Sequence, residues 1–164
     1  MRGAALAVAL IIGSASPVAD ATPAPTVHAT TMPVLFAGKD APVMSDPAQR
    51  YRGRFFRQSQ LAFQRCILHR ESRGHWFSTN RRAGYFGGFQ MTPQLARGVT
   101  WMMLPELQAT YGKRVGTQIA KRLRATEMHH WLPIFQQQAF STILNWGGDW
   151  HGAKHWGGRG RCAS

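Results

Sequence analysis

Acidic residues are scarce in this sequence, which has seven Asp and Glu against 20 Lys and Arg and carries a formal net charge of +13 at pH 7. This excess favours an anionic partner, such as nucleic acid, an acidic membrane surface or an acidic polymer like a cell wall. No apolar run reaches the length that a membrane-spanning helix needs. The 164 residues leave room for one compact domain with flanking segments.

The N-terminus has the three parts of a secretory signal peptide. Arg2 supplies the positive charge, residues 4–12 form the apolar region, and an Ala-Asp-Ala cleavage site follows. The alternative is a buried N-terminal helix, but the segment lacks an amphipathic pattern. We therefore predict a signal peptide over residues 1–21, a Pro/Thr/Ala-rich linker over 22–45 and one domain over 46–164. Export predicts a secreted protein of the cell wall or extracellular space and makes nucleic acid the least favoured partner.

Cysteine is limited to Cys66 and Cys162. In an oxidising compartment an isolated pair favours a disulfide over a metal site. The alternative is two free, buried thiols, but Cys162 lies in a Gly/Arg-rich tail that is poorly suited to bury a lone thiol. The predicted bond would close a loop of roughly a hundred residues, which stabilises a folded chain by up to ~4–5 kcal/mol.

The predicted domain is mainly helical, with one small β element. A capping residue followed by proline at Asp46-Pro47 predicts a helix that continues to Arg73 and stops at Gly74, with an interruption at Gly53 as an alternative. The Gly- and aromatic-rich stretch 80–92 predicts a turn or hairpin. Further helical segments are predicted at 93–103, 105–111, 115–129 and 133–146.

Carboxylates are rarer still within the domain, where only four follow residue 46. Glu106 follows a proline at a predicted helix start and is interpreted as structural. Glu127 follows a run of basic residues and is interpreted as a solvated ion-pair partner. Asp149 lies in a Gly/Trp-rich loop and remains a candidate. The fourth carboxylate is Glu71.

Glu71 lies four residues after Ile67 and eight after Phe63, so helical geometry places it on an apolar stripe. It also lies in the last helical turn, where the helix dipole disfavours negative charge. Burial and the dipole would both raise its pKa, which suits an acid that protonates a glycosidic oxygen. The alternative is a Glu paired with Arg70 or Arg73 in a surface network.

The residues around Glu71 form an ordered set: Glu71-Ser72 at a helix end, then Asn80, then the run 84–93 with the sequence Gly-Tyr-Phe-Gly-Gly-Phe-Gln-Met-Thr-Pro. This set resembles the actinobacterial transglycosylase-like proteins related to resuscitation-promoting factors. It is more distantly similar to the catalytic core of lytic transglycosylases. The resemblance covers about residues 60 to 104 closely, with a looser match at Asn145-Trp146-Gly147, Trp156 and Cys162.

The resemblance implies a lysozyme-like α+β fold, with a glycan strand in a groove between the helical lobe and the hairpin. It implies Glu71 as the catalytic acid and base, and Gln90 as a polar group of the cleft. The remaining implied substrate contacts are Ser72, Trp76, Asn80, Tyr85 and Phe86. For the aromatic Trp76 and Phe86, a place in the hydrophobic core is the alternative.

The number of carboxylates near the Glu71 motif affects which reaction is predicted. Glycoside hydrolases normally use two carboxyl groups, ~5–5.5 Å apart for retention or ~6.5–9.5 Å apart for inversion. No second carboxylate lies near the Glu71 motif, whereas a lytic transglycosylase needs only one. The prediction is therefore cleavage of the β-1,4 bond between N-acetylmuramic acid and N-acetylglucosamine by transglycosylation. A muramidase-type hydrolase, a non-catalytic cationic wall-binding module and a membrane-active cationic protein are the alternatives.

The expected partners are peptidoglycan glycan strands and anionic cell-wall polymers, and the expected state is a monomer without cofactor or metal. The histidines include the pairs His129-His130 and His151/His155, and only the spacing of the second pair would suit a metal ion on a helix. The Gly-rich surroundings of the second pair favour a loop. The basic stretch 113–124 is interpreted as a solvated helix face.

Overall fold

A computed structural model describes residues 50–162 of the chain. The predicted signal peptide, the linker and the helix start at Asp46-Pro47 lie outside the described residues. The described part is mainly helical with a small two-stranded antiparallel sheet, which confirms the α+β class. Within residues 50–162, no helix is both long enough and apolar enough to cross a membrane.

The first α-helix, α1 (Leu61–Ser72), begins much later than the sequence predicted. Residues 50–57 form bends and turns instead of a helix. The carboxylate of Glu106 holds this segment, because it accepts hydrogen bonds from the Tyr51 hydroxyl at 2.8 Å and the Arg54 amide at 2.8 Å. A tertiary contact therefore overrides the local helix pattern. Glu106 has a structural role through these hydrogen bonds, and it does not lie at a helix start as the sequence predicted.

The end of α1 lies where the sequence predicted it. Arg73 adopts a left-handed conformation, with φ of 56°, and its N–H donates to His69 O at 2.7 Å. The N–H of Gly74 donates to Leu68 O at 3.2 Å, which satisfies another carbonyl of the last turn. Glu71 is thereby fixed in the final turn of α1, immediately before the chain changes direction.

The predicted hairpin is present as β1 (Thr79–Asn80) and β2 (Tyr85–Phe86). The strands pair antiparallel, with Thr79 opposite Phe86 and Asn80 opposite Tyr85. A further bridge joins Phe86 to Met91. Residues directly opposite each other project from the same face of a sheet, so Asn80 and Tyr85 share one face. Tyr85 is exposed and Phe86 is buried, so that face is the solvent-accessible one.

The second helix, α2 (Pro93–Tyr111), is continuous where the sequence predicted two segments. Pro105 lies inside it and does not end it. Met103 and Leu107 on either side are fully buried, and this packing maintains the helix despite the missing proline N–H. The third helix, α3 (Lys113–Arg124), ends before the predicted boundary, and a short 3-10 helix follows at Met128–His130.

The fourth helix, α4 (Pro133–Asn145), is the centre of the domain, because every residue in it except Ile134 is buried. Gln136 of this helix is a fully buried polar side chain. The Oε1 atom of Gln136 accepts from the Gly88 N–H at 2.8 Å, and its Nε2 donates to the carbonyls of Trp76 and Trp131 at 3.0 Å each. This amide connects α4 to the loops on both sides of the hairpin.

The predicted disulfide between Cys66 and Cys162 is confirmed, with the two Cα atoms 5.6 Å apart. It ties the middle of α1 to the short 3-10 helix Gly160–Cys162 at the end of the described chain. The indole N–H of Trp156 donates to Phe89 O at 3.0 Å, and its ring packs against Phe140 with centroids 4.5 Å apart. The C-terminal segment is therefore fixed against both α1 and the core.

We expect the double variant Cys66→Ala/Cys162→Ala to lose about 4 kcal/mol of unfolding free energy, because the bond closes a long loop. Urea unfolding followed by circular dichroism measures the difference. Reductant should lower the stability of the wild-type protein by a similar amount and leave the double variant unchanged. Equal stability of the oxidised wild type and the double variant would contradict this role of the bond.

We expect Gln136→Leu to destabilise the fold by about 3 kcal/mol, because it leaves the Gly88 N–H and two carbonyls without partners in the core. Gln118→Leu, on the exposed side of α3, is the matched control and should change stability by less than about 0.5 kcal/mol. Urea unfolding compares the two variants. Similar losses of unfolding free energy in both variants would contradict a stabilising role of the Gln136 hydrogen bonds.

Candidate active site

An open groove with a volume of about 700 Å³ contains Glu71. The end of α1, the hairpin region and the C-terminal segment 155–160 each contribute to it. Its lining residues are Arg70, Glu71, Asn80, Tyr85, Gln90, His155, Trp156, Gly157 and Gly160. Glu71 is the one acidic residue in this set. Two neighbouring elements and one segment that is distant in the sequence thus meet around one carboxylate.

Glu71 is partly exposed, with 27% of its side chain accessible. Its Oε1 atom accepts from Arg70 Nη2 at 2.7 Å and Nε at 3.0 Å. Its Oε2 atom has no hydrogen-bond partner among residues 50–162. The carboxylate therefore lies at the edge of the apolar stripe beside a guanidinium. The ion pair that the sequence offered as an alternative is present, and it lies inside the groove.

Arg70 connects the carboxylate to the opposite wall. Its Nη2 atom also donates to the Trp156 carbonyl at 2.7 Å. The guanidinium thereby bridges the end of α1 and the C-terminal segment and restricts the position of Glu71. Sequence reasoning did not assign this part of the groove to Arg70 or Trp156. The predicted disulfide was the available signal, because it brings the residues before Cys162 alongside α1.

Three of the predicted substrate contacts line the groove with Glu71, namely Asn80, Tyr85 and Gln90. Asn80 Oδ1 accepts from the Ala83 N–H at 3.2 Å, which orients the amide within the turn. Gln90 has a positive φ of 49°, and its Nε2 donates to Gly87 O at 2.8 Å. Amide and phenol groups are thus presented on the hairpin side of the groove.

The other three predicted contacts, Ser72, Trp76 and Phe86, do not line this groove. Ser72 is buried and its hydroxyl donates to Leu68 O at 2.9 Å. Trp76 is half-buried and packs edge-on against Phe89, with centroids 5.5 Å apart. Phe86 is buried in the core. For the two aromatics, the structure therefore shows the core position that the sequence left open.

The remaining carboxylates of the described chain are held elsewhere. Asp149 pairs with Arg57 at 3.0 Å, and Glu106 binds Tyr51 as described above. Glu127 lies 4.0 Å from Arg81, after the end of α3. None of these three lines the groove, so Glu71 is its single carboxylate among residues 50–162.

His155 contributes a titratable group to the wall opposite the hairpin. Its pKa lies below the ordinary value of 6.5, first because of burial and then because of the positive charges of Lys154 and a protonated His151. The neutral imidazole is therefore favoured in the folded protein. Because an unfolded chain would bind the proton more readily, His155 lowers folding stability as the pH falls below about 6.5.

We expect an NMR titration to place the midpoint of His155 below 6.5, and Lys154→Ala to move that midpoint upward by removing a nearby positive charge. Lys113→Ala, at the start of α3, is the control and should leave the midpoint unchanged. A His155 midpoint that does not respond to Lys154→Ala would contradict the electrostatic contribution.

The chain has no match among known protein families, curated proteins or solved structures. Because function resides in sites more than in folds, the groove is the feature that bears on the function of this protein. The groove offers one carboxylate that can exchange a proton, one guanidinium, and amide, phenol and imidazole groups that can bind a polar ligand. This combination suits acid–base chemistry on a hydroxyl-rich substrate.

Proposed function

We propose that this protein is a peptidoglycan lytic transglycosylase that cleaves the β-1,4 bond between N-acetylmuramic acid and N-acetylglucosamine. The observation that carries the proposal is the open groove with Glu71 as its single carboxylate within the described chain. The Glu-Ser…Gly-Gly-Phe-Gln resemblance supports it, because Glu71, Asn80, Tyr85 and Gln90 meet in that groove. We also propose that the helical lobe and hairpin represent a lysozyme-like fold.

The lining of the groove suits a sugar polymer. Sugar hydroxyl and N-acetyl groups require donors and acceptors, which Asn80, Tyr85 and Gln90 provide on the hairpin side. Trp156 and His155 add ring systems on the other side. A groove that is open to solvent admits a long strand, and the net charge of +13 favours association with an anionic wall.

In the proposed reaction, Glu71 acts twice. As an acid it protonates the bridging oxygen, and the bond between this oxygen and C1 of the muramic acid breaks. As a carboxylate it then takes the proton of the 6-hydroxyl, whose oxygen attacks C1 and closes a 1,6-anhydro ring. The proton is thereby returned to Glu71. Arg70 occupies Oε1, which leaves Oε2 as the oxygen that carries the proton.

The charge distribution favours transglycosylation over hydrolysis. A hydrolase of the usual kind needs a second carboxylate at ~5–9.5 Å to attack C1 or activate water. The other described carboxylates, Glu106, Glu127 and Asp149, lie outside the groove lining, and Glu106 and Asp149 are hydrogen-bonded to other groups. No second carboxylate lines the groove within the described chain to activate a water molecule. The 6-hydroxyl of the muramic acid is therefore the nucleophile in the proposed reaction.

A non-catalytic wall-binding module is the second candidate. The observation that favours it is the Arg70–Glu71 ion pair, with N···O of 2.7 Å, which neutralises the carboxylate in the free protein. In such a module the groove would bind glycan without cleaving it. The two candidates differ in what happens to the strand after binding, and a single substitution separates them.

We expect Glu71→Gln to reduce the release of soluble muropeptides from purified peptidoglycan by about 10²–10⁴-fold, because it removes the acid and base. Asp149→Asn, an exposed carboxylate outside the groove lining, is the matched control and should retain activity. Mass spectrometry should find 1,6-anhydro ends on the products of the wild-type protein.

Each other result identifies an alternative. Equal release by wild type and Glu71→Gln would contradict an enzymatic role for Glu71. Reducing ends instead of anhydro ends would indicate a hydrolase. Binding to insoluble peptidoglycan without release by either protein would indicate a wall-binding module. Dye leakage from anionic vesicles that survives Glu71→Gln would indicate a membrane-active protein.

A further inference from the structure

A group of three metal-binding side chains lies outside the groove, in the segment that follows α3. Glu127 precedes the 3-10 helix Met128–His130, which carries His129 and His130. One potential ligand atom from each residue lies within 4.8 Å of the other two. None of the three lines the groove around Glu71. All three residues lie within the run 127–130 of the sequence, and the 3-10 turn brings their ligand atoms together.

His129 supplies the second observation, because its Nδ1 atom is buried and has no hydrogen-bond partner among residues 50–162. The residue is only 8% exposed. The nearest acidic atom, Glu127 Oε2, lies 3.6 Å away, which is too long for a hydrogen bond. Buried polar atoms in folded proteins nearly always have a partner. The Nδ1 atom of His129 is therefore a buried ligand atom whose binding capacity is not used by residues 50–162.

The spacing of the ligand atoms fits a tetrahedral metal ion. Metal–ligand distances of about 2.0–2.2 Å separate two ligands of a tetrahedral zinc by about 3.3–3.6 Å. The 3.6 Å between His129 Nδ1 and Glu127 Oε2 lies at the upper end of that range. The two imidazole rings lie close together as well, with centroids 3.8 Å apart. A small adjustment of the exposed His130 ring would bring the third ligand to the same ion.

We propose that Glu127, His129 and His130 bind a divalent transition metal ion of the zinc class, with solvent as the fourth ligand. Two imidazole nitrogens and one carboxylate oxygen form a donor set typical of Zn²⁺. Mg²⁺ and Ca²⁺ prefer sets made of oxygen alone. The proposal does not depend on peptidoglycan cleavage, since none of its ligands lies in the groove lining.

Arg81 is the opposing charge at this site, because its Nη2 atom lies 4.0 Å from Glu127 Oε2. Its side chain is 71% exposed, so the ion pair is open to water and weak. A metal ion bound to two imidazoles and the carboxylate gains three coordinate bonds, which outweigh one solvated ion pair. The guanidinium can turn into solvent without disturbing the core.

The bound ion would act on the hairpin through Phe86. The ring of Phe86 stacks on the imidazole of His129, with centroids 5.5 Å apart and planes at 25°. Phe86 belongs to β2 and follows Tyr85, which lines the groove. Fixing the His129 ring by coordination would therefore rigidify the support on which the hairpin rests. The site has a structural role in this proposal and takes no part in the reaction.

Titration calorimetry of the untagged full chain, freed of metal by chelation, tests the site with ZnCl₂. We expect one Zn²⁺ per chain, and a rise in the thermal midpoint of about 10 °C when free Zn²⁺ is about one hundred times Kd. Co²⁺ should give the visible absorption of a tetrahedral complex, and MgCl₂ should have no effect.

The variants Glu127→Gln and His130→Ala identify the ligands, because both residues are exposed and their replacement leaves the core intact. Each should weaken Zn²⁺ binding by at least about tenfold, since loss of even an outer-shell partner has an effect of that size. His75→Ala, an exposed histidine outside the group, is the matched control and should bind like the wild type.

Two results would overturn the proposal. The first is the absence of one-to-one Zn²⁺ binding to the wild-type chain. The second is Zn²⁺ binding that remains equally tight in Glu127→Gln and His130→Ala, which would place the ion elsewhere. Metal-free thermal midpoints close to that of the wild type confirm that each variant is folded.

Discussion

One buried amide, the side chain of Gln136, determines where the hairpin lies. Its hydrogen bonds to Trp76 O and the Gly88 N–H hold the chain just before β1 and just after β2. Two-residue strands have little stability of their own, so the hairpin depends on this anchoring for its position. Gly87 permits the close approach, because a Cβ atom there would lie 2.7 Å from Gln136 Oε1. The polar groups on the hairpin side of the groove are therefore positioned by a hydrogen-bonded side chain of the core.

Each of the three sides of the groove is held in place by a different kind of interaction. The hairpin side is held by core hydrogen bonds, the α1 side by a left-handed helix end at Arg73, and the C-terminal side by the disulfide to Cys66. Arg70 connects the last two by binding both Glu71 and the Trp156 carbonyl. Because each attachment uses different chemistry, the geometry around the carboxylate does not rest on a single contact.

Local signals in the sequence predicted what local chemistry decides, such as the helix stop at Gly74 and the hairpin, and the isolated cysteine pair predicted the disulfide. The shared site of Asn80, Tyr85 and Gln90 was implied by the family resemblance and not by local signals. Tertiary contacts decided the rest: Glu106 keeps residues 50–57 out of a helix, and packing carries α2 through Pro105. The sequence places Glu127 beside His129 and His130, but the spacing of their ligand atoms and the burial of His129 Nδ1 are visible only in the structure.

The disulfide also determines when the C-terminal wall of the groove becomes linked to α1. Trp156, which forms a wall of the groove, follows Arg70 by 86 residues and is made long after α1. Until Cys162 meets Cys66, only noncovalent contacts hold this wall against the helix that carries Glu71. Under reducing conditions, the C-terminal side of the groove therefore has no covalent link to α1. Under oxidising conditions, the disulfide forms and provides that link. Oxidation of the Cys66 and Cys162 thiols to one disulfide thus links the completion of the groove to the redox state of its surroundings.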